Sequence, residues 1–215
     1  MLKRILSRRQ EEANAREMNR LPPGQSLTQK FPVLHVGPVP TADLAVWDFR
    51  VFGLVDNEMT WSWEEFNKLP RTKIVMDIHC VTRWSKVDTE WEGVALATLV
   101  EEGLIQPKPE ACFLVQHCEY GYTTNTPLEQ ALQPNFLLAT HYDGQPLTPD
   151  HGYPLRAVVG AFADRSENST AYFWKGGKWL RGLEFLAQDK LGFWEKAGYH
   201  NEADPWKEQR FSNVG

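Results

Sequence analysis

Apolar and polar residues alternate from Lys73 to Cys80 (KIVMDIHC), which predicts a strand. Ile74, Met76, Ile78 and Cys80 share one face, and Val75, Asp77 and His79 share the other. The strand ends in a thiol and runs at once into the polar stretch Val81-Thr82-Arg83-Trp84-Ser85-Lys86. Similar patterns predict strands over 47–55, 111–118, 135–142 and 157–159, and another through 183–186. In the second of these, Ala111, Phe113, Val115 and His117 fall on one face. Helical signals are few and short. Ser62 with Glu65 three residues on is a capping box that opens a helix to Leu69, where Pro70 stops it. Residues 94–103 read as a helix with one buried face, closed by Gly103. Pro127 starts one or two further turns, to Leu132.

The joints are equally legible. Leu21-Pro22-Pro23-Gly24 breaks a polar N-terminal arm, and residues 31–40, with three prolines, must be extended or turning. Residues 120–125 read as a polar loop, and Asp143-Gly144 as a hairpin turn. Residues 161–170 are polar and irregular. A Gly-Lys loop, Lys175-Gly176-Gly177-Lys178-Trp179, feeds the last strand. The aromatic, charged tail from Asp189 has no period and is expected to wrap over the core. The elements predict an α+β fold with mixed β-sheets and short helices, in which residues 1–30 form a polar arm and 31–215 a single domain.

Composition narrows this further. A formal net charge of −5 gives no basic surface for nucleic acid. Nine Trp, eleven Phe and six Tyr supply rigid surfaces for a core or a flat cofactor. Three cysteines, Cys80, Cys112 and Cys118, are too few and too odd in number for a disulfide framework and point to a reducing compartment. No apolar run reaches the eighteen residues of a membrane-spanning helix. The basic start Lys3-Arg4-Ile5-Leu6-Ser7-Arg8-Arg9 is followed by Gln10-Glu11-Glu12 rather than by the apolar segment of an export signal, so a cytoplasmic protein is expected.

Chemistry concentrates at a few places. Cys80 is either a buried core cysteine or a soft thiolate ligand or nucleophile at a strand end. Zinc held by His79, Cys80, Cys112, His117 and Cys118 has the right residue types at the wrong spacing, since the pairs are adjacent and point to opposite strand faces. Signatures of serine hydrolases, zinc proteases, P-loops and dinucleotide sites are absent from the sequence. His151 with Arg156, and Lys178 after two glycines, are cations beside strand ends, where backbone N–H groups can approach an anion. A thiol, dispersed cations and many indoles together suggest a large anionic cofactor bound through sulfur.

Four ordered motifs carry a family resemblance: Phe31-Pro32-Val33-Leu34-His35 with Gly37-Pro38-Val39-Pro40; His79-Cys80 through Lys86 followed by Trp91-Glu92-Gly93; His151-Gly152-Tyr153-Pro154-Leu155-Arg156; and Lys178-Trp179-Leu180. At these residues the chain resembles the sulfite-oxidase-like molybdopterin-dependent oxidoreductases, in the short bacterial form built from the catalytic molybdenum domain. The resemblance implies a molybdenum-molybdopterin cofactor (Mo-MPT), as the simple monophosphate, with Cys80 as thiolate ligand to the metal. It implies that His35 contacts the pterin and that His117 lies near a cofactor contact. It implies that His151 and Arg156 grip the pterin and its phosphate, and that Gly176, Gly177 and Lys178 finish the phosphate site. Thr82 and Arg83 would line the pocket beside the ligand.

The activity implied is two-electron oxygen-atom transfer on a small substrate, either S- or N-oxide reduction or oxidation of a small anion. A monomer served by an external electron donor or acceptor is expected, since no haem or iron–sulfur motif occurs in the sequence. Where sulfite oxidases carry a substrate Tyr this chain has Leu191-Gly192-Phe193-Trp194, and their full arginine set is not evident, which speaks against sulfite as substrate. The alternatives are a catalytically silent cofactor-binding module, and a thiol or zinc protein without pterin.

Overall fold

The computed structural model describes residues 2–164 and 171–212, so most of the irregular 161–170 segment and the end of the tail lie outside the described residues. Helix α1 (Leu2–Glu17) leads into a two-residue strand, β1 (Ser26–Leu27). The pair β2 (Asp48–Gly53) and β3 (Met59–Ser62) is followed by α2 (Trp63–Phe66). Here the capping box forms as expected: Glu65 N–H donates to the Ser62 hydroxyl, and Ser62 N–H donates to Glu65 Oε2 at 2.8 Å. Then come β4 (Thr72–His79), β5 (Trp84–Ala95), α3 (Leu96–Glu101), β6 (Phe113–Cys118), β7 (Thr123–Pro127) and α4 (Leu128–Ala131). The last elements are β8 (Phe136–Tyr142), β9 (Gln145–Pro146), β10 (Arg156–Val159), β11 (Leu180–Leu186) and α5 (Phe193–Lys196).

Two sheets organise these elements. One runs β1-β5-β8-β10, with β4 also on β5 and β9 on β8; the other runs β3-β2-β11-β6-β7. Each contains both parallel and antiparallel pairs, so the α+β reading with mixed sheets holds. In the first sheet Val94, Leu138, Ala157 and Val159 join Phe49, Val51, Leu114, Leu183 and Phe185 in the main core. The alternate residues Ala95, Leu137, Ala139 and Val158 pack with Met76, Ile78, Trp91 and Phe173 in a second core. Burial on both faces explains why β8 and β10 are nearly continuous apolar runs.

Two expectations are corrected. Val94 and Ala95 are strand, paired with Leu138 and Leu137, so the helix expected over 94–103 shrinks to α3. Residues 123–127 are strand β7 on β6 rather than loop, with Thr124, Asn125 and Thr126 buried. Asp77 and His79, on the other face of β4, are buried as well. The N-terminal segment covers them: Arg20 Nε and Nη2 donate to the two Asp77 oxygens at 2.8 and 2.7 Å. Residues 26–27 pair in parallel with Trp84 and Ser85, which ties the N-terminal segment into the first sheet.

Candidate cofactor site

Cys80 opens a tight hairpin turn between β4 and β5. Its N–H donates to Trp84 O at 2.8 Å, Arg83 N–H donates to Cys80 O at 3.0 Å, and Arg83 is left-handed at φ 71°. This three-residue turn with a left-handed third residue is a common hairpin closure. It exposes the Thr82 and Arg83 side chains and turns the Cys80 sulfur inward. Buried Gln25 donates to the Cys80 carbonyl at 3.2 Å and receives the Ser85 hydroxyl, which sits 2.9 Å from His79 Nδ1. Tyr172 and Ala203 pack on the thiol, so segments remote in sequence enclose it. Burial raises the thiol above its usual range, and the Thr82 hydroxyl, 3.1 Å from the sulfur, opposes that.

The sulfur faces a cavity of about 330 Å³ that His35, His151, Arg156, Gly176 and Lys178 also line. Arg156 opens β10 and is 2% exposed, yet among the described residues its guanidinium meets carbonyls and rings: His151 O at 3.0 Å, Ala157 O at 3.3 Å, Gly176 O at 3.4 Å and the Phe173 ring at 4.2 Å. Burial pulls it down to about 9. Lys178 donates to Asp150 O at 2.7 Å; burial and the Arg156 charge pull it down to about 7. Burial, Arg156 and Lys178 together push His151 down to about 4, and its ring stacks on Phe31 at 3.9 Å. Among the described residues neither Arg156 nor Lys178 has a carboxylate at ion-pair distance. Buried cations are normally paired. Their mutual repulsion marks a place shaped for an anion.

Glycine completes this cradle. A Cβ at Gly176 would lie 2.4 Å from Ala157 O, so the loop lies against β10 only because that position is bare. Gly177 lies one step outside the cavity: its N–H donates to Gln116 Oε1 at 2.7 Å, and a Cβ there would strike Cys118. His35 sits at the exposed mouth, with Nδ1 3.1 Å from Gly37 O. Three more expected residues do not line the cavity, and the first is Thr82, exposed in the turn with its hydroxyl 3.1 Å from the Cys80 sulfur. His117 is on β6 with Nε2 2.8 Å from Glu184 and does not line the cavity. Arg83 contributes its backbone to the Cys80 turn while its side chain is exposed. The residues weighed for zinc are not assembled into one group, since no set of three or more metal-ligating side chains occurs among the described residues.

The sequence pattern missed most of the walls. Phe31, Trp84, Tyr120, Tyr122, Phe173, Trp174, Trp179, Phe193 and Trp194 line the cavity, of which Tyr120 and Phe193 are exposed at its mouth with Leu34 and Val36. Phe31, Trp84 and Trp179 stand within the ordered motifs; for the other rings a high aromatic content was the one available signal, and it does not say which converge. The set fits an anionic, flat, sulfur-bound group: soft sulfur at one place, an unpaired cationic cradle at another, and aromatic planes around them.

Comparison with known proteins agrees with this geometry. The oxidoreductase molybdopterin binding domain family matches residues 36–194. The chain is 44% identical to "Uncharacterized oxidoreductase YuiH" of Bacillus subtilis over 91% of its own length and 94% of that protein. It is 26% identical to "Protein-methionine-sulfoxide reductase catalytic subunit MsrP" of Campylobacter jejuni over 69% of its length, and spans 52% of that relative. The solved sulfane dehydrogenase SoxCD of Paracoccus pantotrophus shares the fold, with a TM-score of 0.56 at 21% identity over 70% of this chain and 40% of that one.

Proposed function

This chain belongs to the oxidoreductase molybdopterin-binding domain family, and we propose on that footing that it reduces a small neutral S-oxide by oxygen-atom transfer. The observation that carries the reading is one cavity in which the Cys80 thiol and the unpaired Arg156–Lys178 cradle meet between aromatic walls. Cys80 would hold molybdenum through sulfur, and Arg156, Lys178 and His151 would hold the pterin phosphate by charge-assisted bonds, with bare Gly176 letting the loop lie close. The bound cofactor supplies the two-electron oxygen-atom transfer chemistry.

The chain's own part is to bind, orient and exclude water. The Thr82 hydroxyl, 3.1 Å from the Cys80 sulfur, can donate to the thiolate and temper its basicity. The aromatic walls give a dry site. Leu34, Val36, Tyr120 and Phe193 give a mouth with apolar contact surface for a neutral substrate. Sulfite, a small dianion, would find the nearby cations committed to the cofactor. The methionine-sulfoxide reductase among the relatives supports the same direction. Electrons come from an external donor, and the protein works as a monomer over residues 31–215 with its N-terminal arm attached.

The test is protein made in a molybdopterin-competent host. Molybdenum bound in stoichiometric amount and dye-linked reduction of sulfoxides, with little sulfite oxidation, is the expected result. Cys80→Ser should abolish turnover and leave the thermal midpoint nearly unchanged. Metal-free protein, or a Cys80→Ser variant with full activity, would refute the assignment.

A further inference from the structure

The turn that carries Cys80 is gripped by a segment 55 residues earlier in the chain. β4 stops at His79 and β5 starts at Trp84, so residues 80–83 lie outside the sheet ladder. Three bonds from the N-terminal segment hold the turn and the start of β5. Gln25 Nε2 donates to Cys80 O at 3.2 Å, Ser26 N–H to Arg83 O at 3.1 Å, and Thr28 N–H to Ser85 O at 2.9 Å. The last two are the backbone bonds by which β1 pairs with β5. The first comes from a side chain, and it reaches the residue that bears the thiol.

Gln25 is 2% exposed and is itself tied down. Its N–H donates to Pro22 O at 3.3 Å, and its carbonyl accepts from Arg16 Nη2 at 2.7 Å. Cys80 O cannot donate, so the amide nitrogen must face it, and the amide oxygen faces the Ser85 hydroxyl at 3.4 Å. The Gln25 side chain also bonds to the hydroxyl of Tyr172, the ring that packs on the thiol. One buried amide thus links the Cys80 carbonyl, the start of β5 and the ring over the sulfur. Pairing alone does not account for it. Cys80 O already accepts Arg83 N–H at 3.0 Å and would be satisfied without Gln25. Burying and freezing a glutamine costs side-chain entropy and desolvation that an apolar residue in the same space avoids.

What the second bond adds is direction. Cys80 N–H is on Trp84 O, and Cys80 O is held from two sides. Both peptide planes around its Cα are therefore set, and the Cα–Cβ bond that carries the sulfur is set with them. Resting on the function proposed above, in which Cys80 is the molybdenum ligand, we propose that Gln25 is a positioning residue of the site. Its amide locks the Cys80 turn so that the sulfur points into the cavity where the metal is bound. A ligand atom has to be held within about 0.5 Å of its working geometry, which a free four-residue turn does not ensure. Gln25 does not line the cavity and acts only through the turn. The N-terminal segment is then part of the site rather than a cover for it.

Cofactor-free protein gives the first test. Alkylation by iodoacetamide at fixed pH, read by mass spectrometry, follows Cys80, with exposed Cys112 in the same chain as internal reference. Gln25→Met should label Cys80 about tenfold faster than wild type, at an unchanged Cys112 rate. Ser85→Ala, which removes the hydroxyl that orients the Gln25 amide, is the milder variant and should raise the same rate. Ser62→Ala weakens the fold elsewhere and should leave the Cys80 rate where it is. In the loaded enzyme, Gln25→Met should keep its molybdenum and KM and lose about tenfold in kcat. It should also shift the electron paramagnetic resonance signal of the metal, which lost stability alone does not do. A Cys80 rate unchanged in Gln25→Met, or in Ser85→Ala should the first variant not fold, overturns the proposal, as does a resonance signal identical to wild type. If wild type binds no molybdenum, the proposed function fails, while the alkylation rates still decide whether Gln25 holds the thiol.

Discussion

The cationic cradle makes a quantitative prediction about anion binding. Without an anion, Lys178 titrates at about 7 and Arg156 at about 9, while His151, at about 4, stays neutral. An anion seated between them needs Lys178 charged. Above pH 7 each binding event must therefore draw one proton from solution, and affinity falls toward tenfold per pH unit. Lys178 is about half charged at pH 7 and about one per cent charged at pH 9. The loss across that window is about fiftyfold, or roughly 2 kcal/mol.

Sulfate is the probe of choice because it stays a dianion throughout the range, and titration calorimetry on cofactor-free protein reads its affinity and the proton taken up. Lys178→Met should bind sulfate more weakly at pH 7 and show a flat profile to pH 9. The linkage sign can be checked independently. Unfolded Lys178 keeps its proton to about 10.5 and the folded group only to about 7, so the unfolded state binds more protons between those values. This group therefore makes the anion-free protein gain stability as pH rises through that window, and saturating sulfate should flatten the gain. A wild-type sulfate affinity that stays constant from pH 7 to 9 refutes the cradle.

Two stability predictions follow from the framework around the site. Arg20→Met leaves the Asp77 carboxylate buried at 2% side-chain exposure without its bidentate partner, and should cost about 3–5 kcal/mol in urea unfolding; a loss under 1 kcal/mol would show that the arm is not held there. Ser62→Ala removes one half of the capping box and should cost about 1 kcal/mol by the same assay, with turnover unchanged.

Much of this was legible because local rules act locally. The strand into Cys80, the capping box at Ser62, the hairpin at Asp143-Gly144 and the stop at Gly103 each depend on a few adjacent residues. The thiol, His35, His151, Arg156, Gly176 and Lys178 converge on one cavity, as the ordered motifs suggested. What failed depended on distant chain. The strand pattern says nothing of what covers Asp77, because its partner, Arg20, lies 57 residues away. Strand β7 looked like a loop because Thr124, Asn125 and Thr126 are polar. The partners that make burial tolerable for Thr124 and Asn125, Asp189, Glu195 and Asn201, come from the tail. His117 was placed near the cofactor by the resemblance, and the cavity lies elsewhere.

The parallel register that sets Gly182 beside Arg50 also imposes an order in time. A ribosome adds about 5–20 residues per second, so β2 waits on the order of ten seconds for β11 to be made. Cys80 waits nearly as long for Ala203, which packs against it and whose carbonyl receives the Tyr172 N–H at 2.8 Å. Until then its sulfur stands in an unfinished pocket, open to oxidants and stray metal ions. Insertion of the cofactor thus belongs after synthesis rather than during it, and the interval is one in which a chaperone that shields a single thiol would matter.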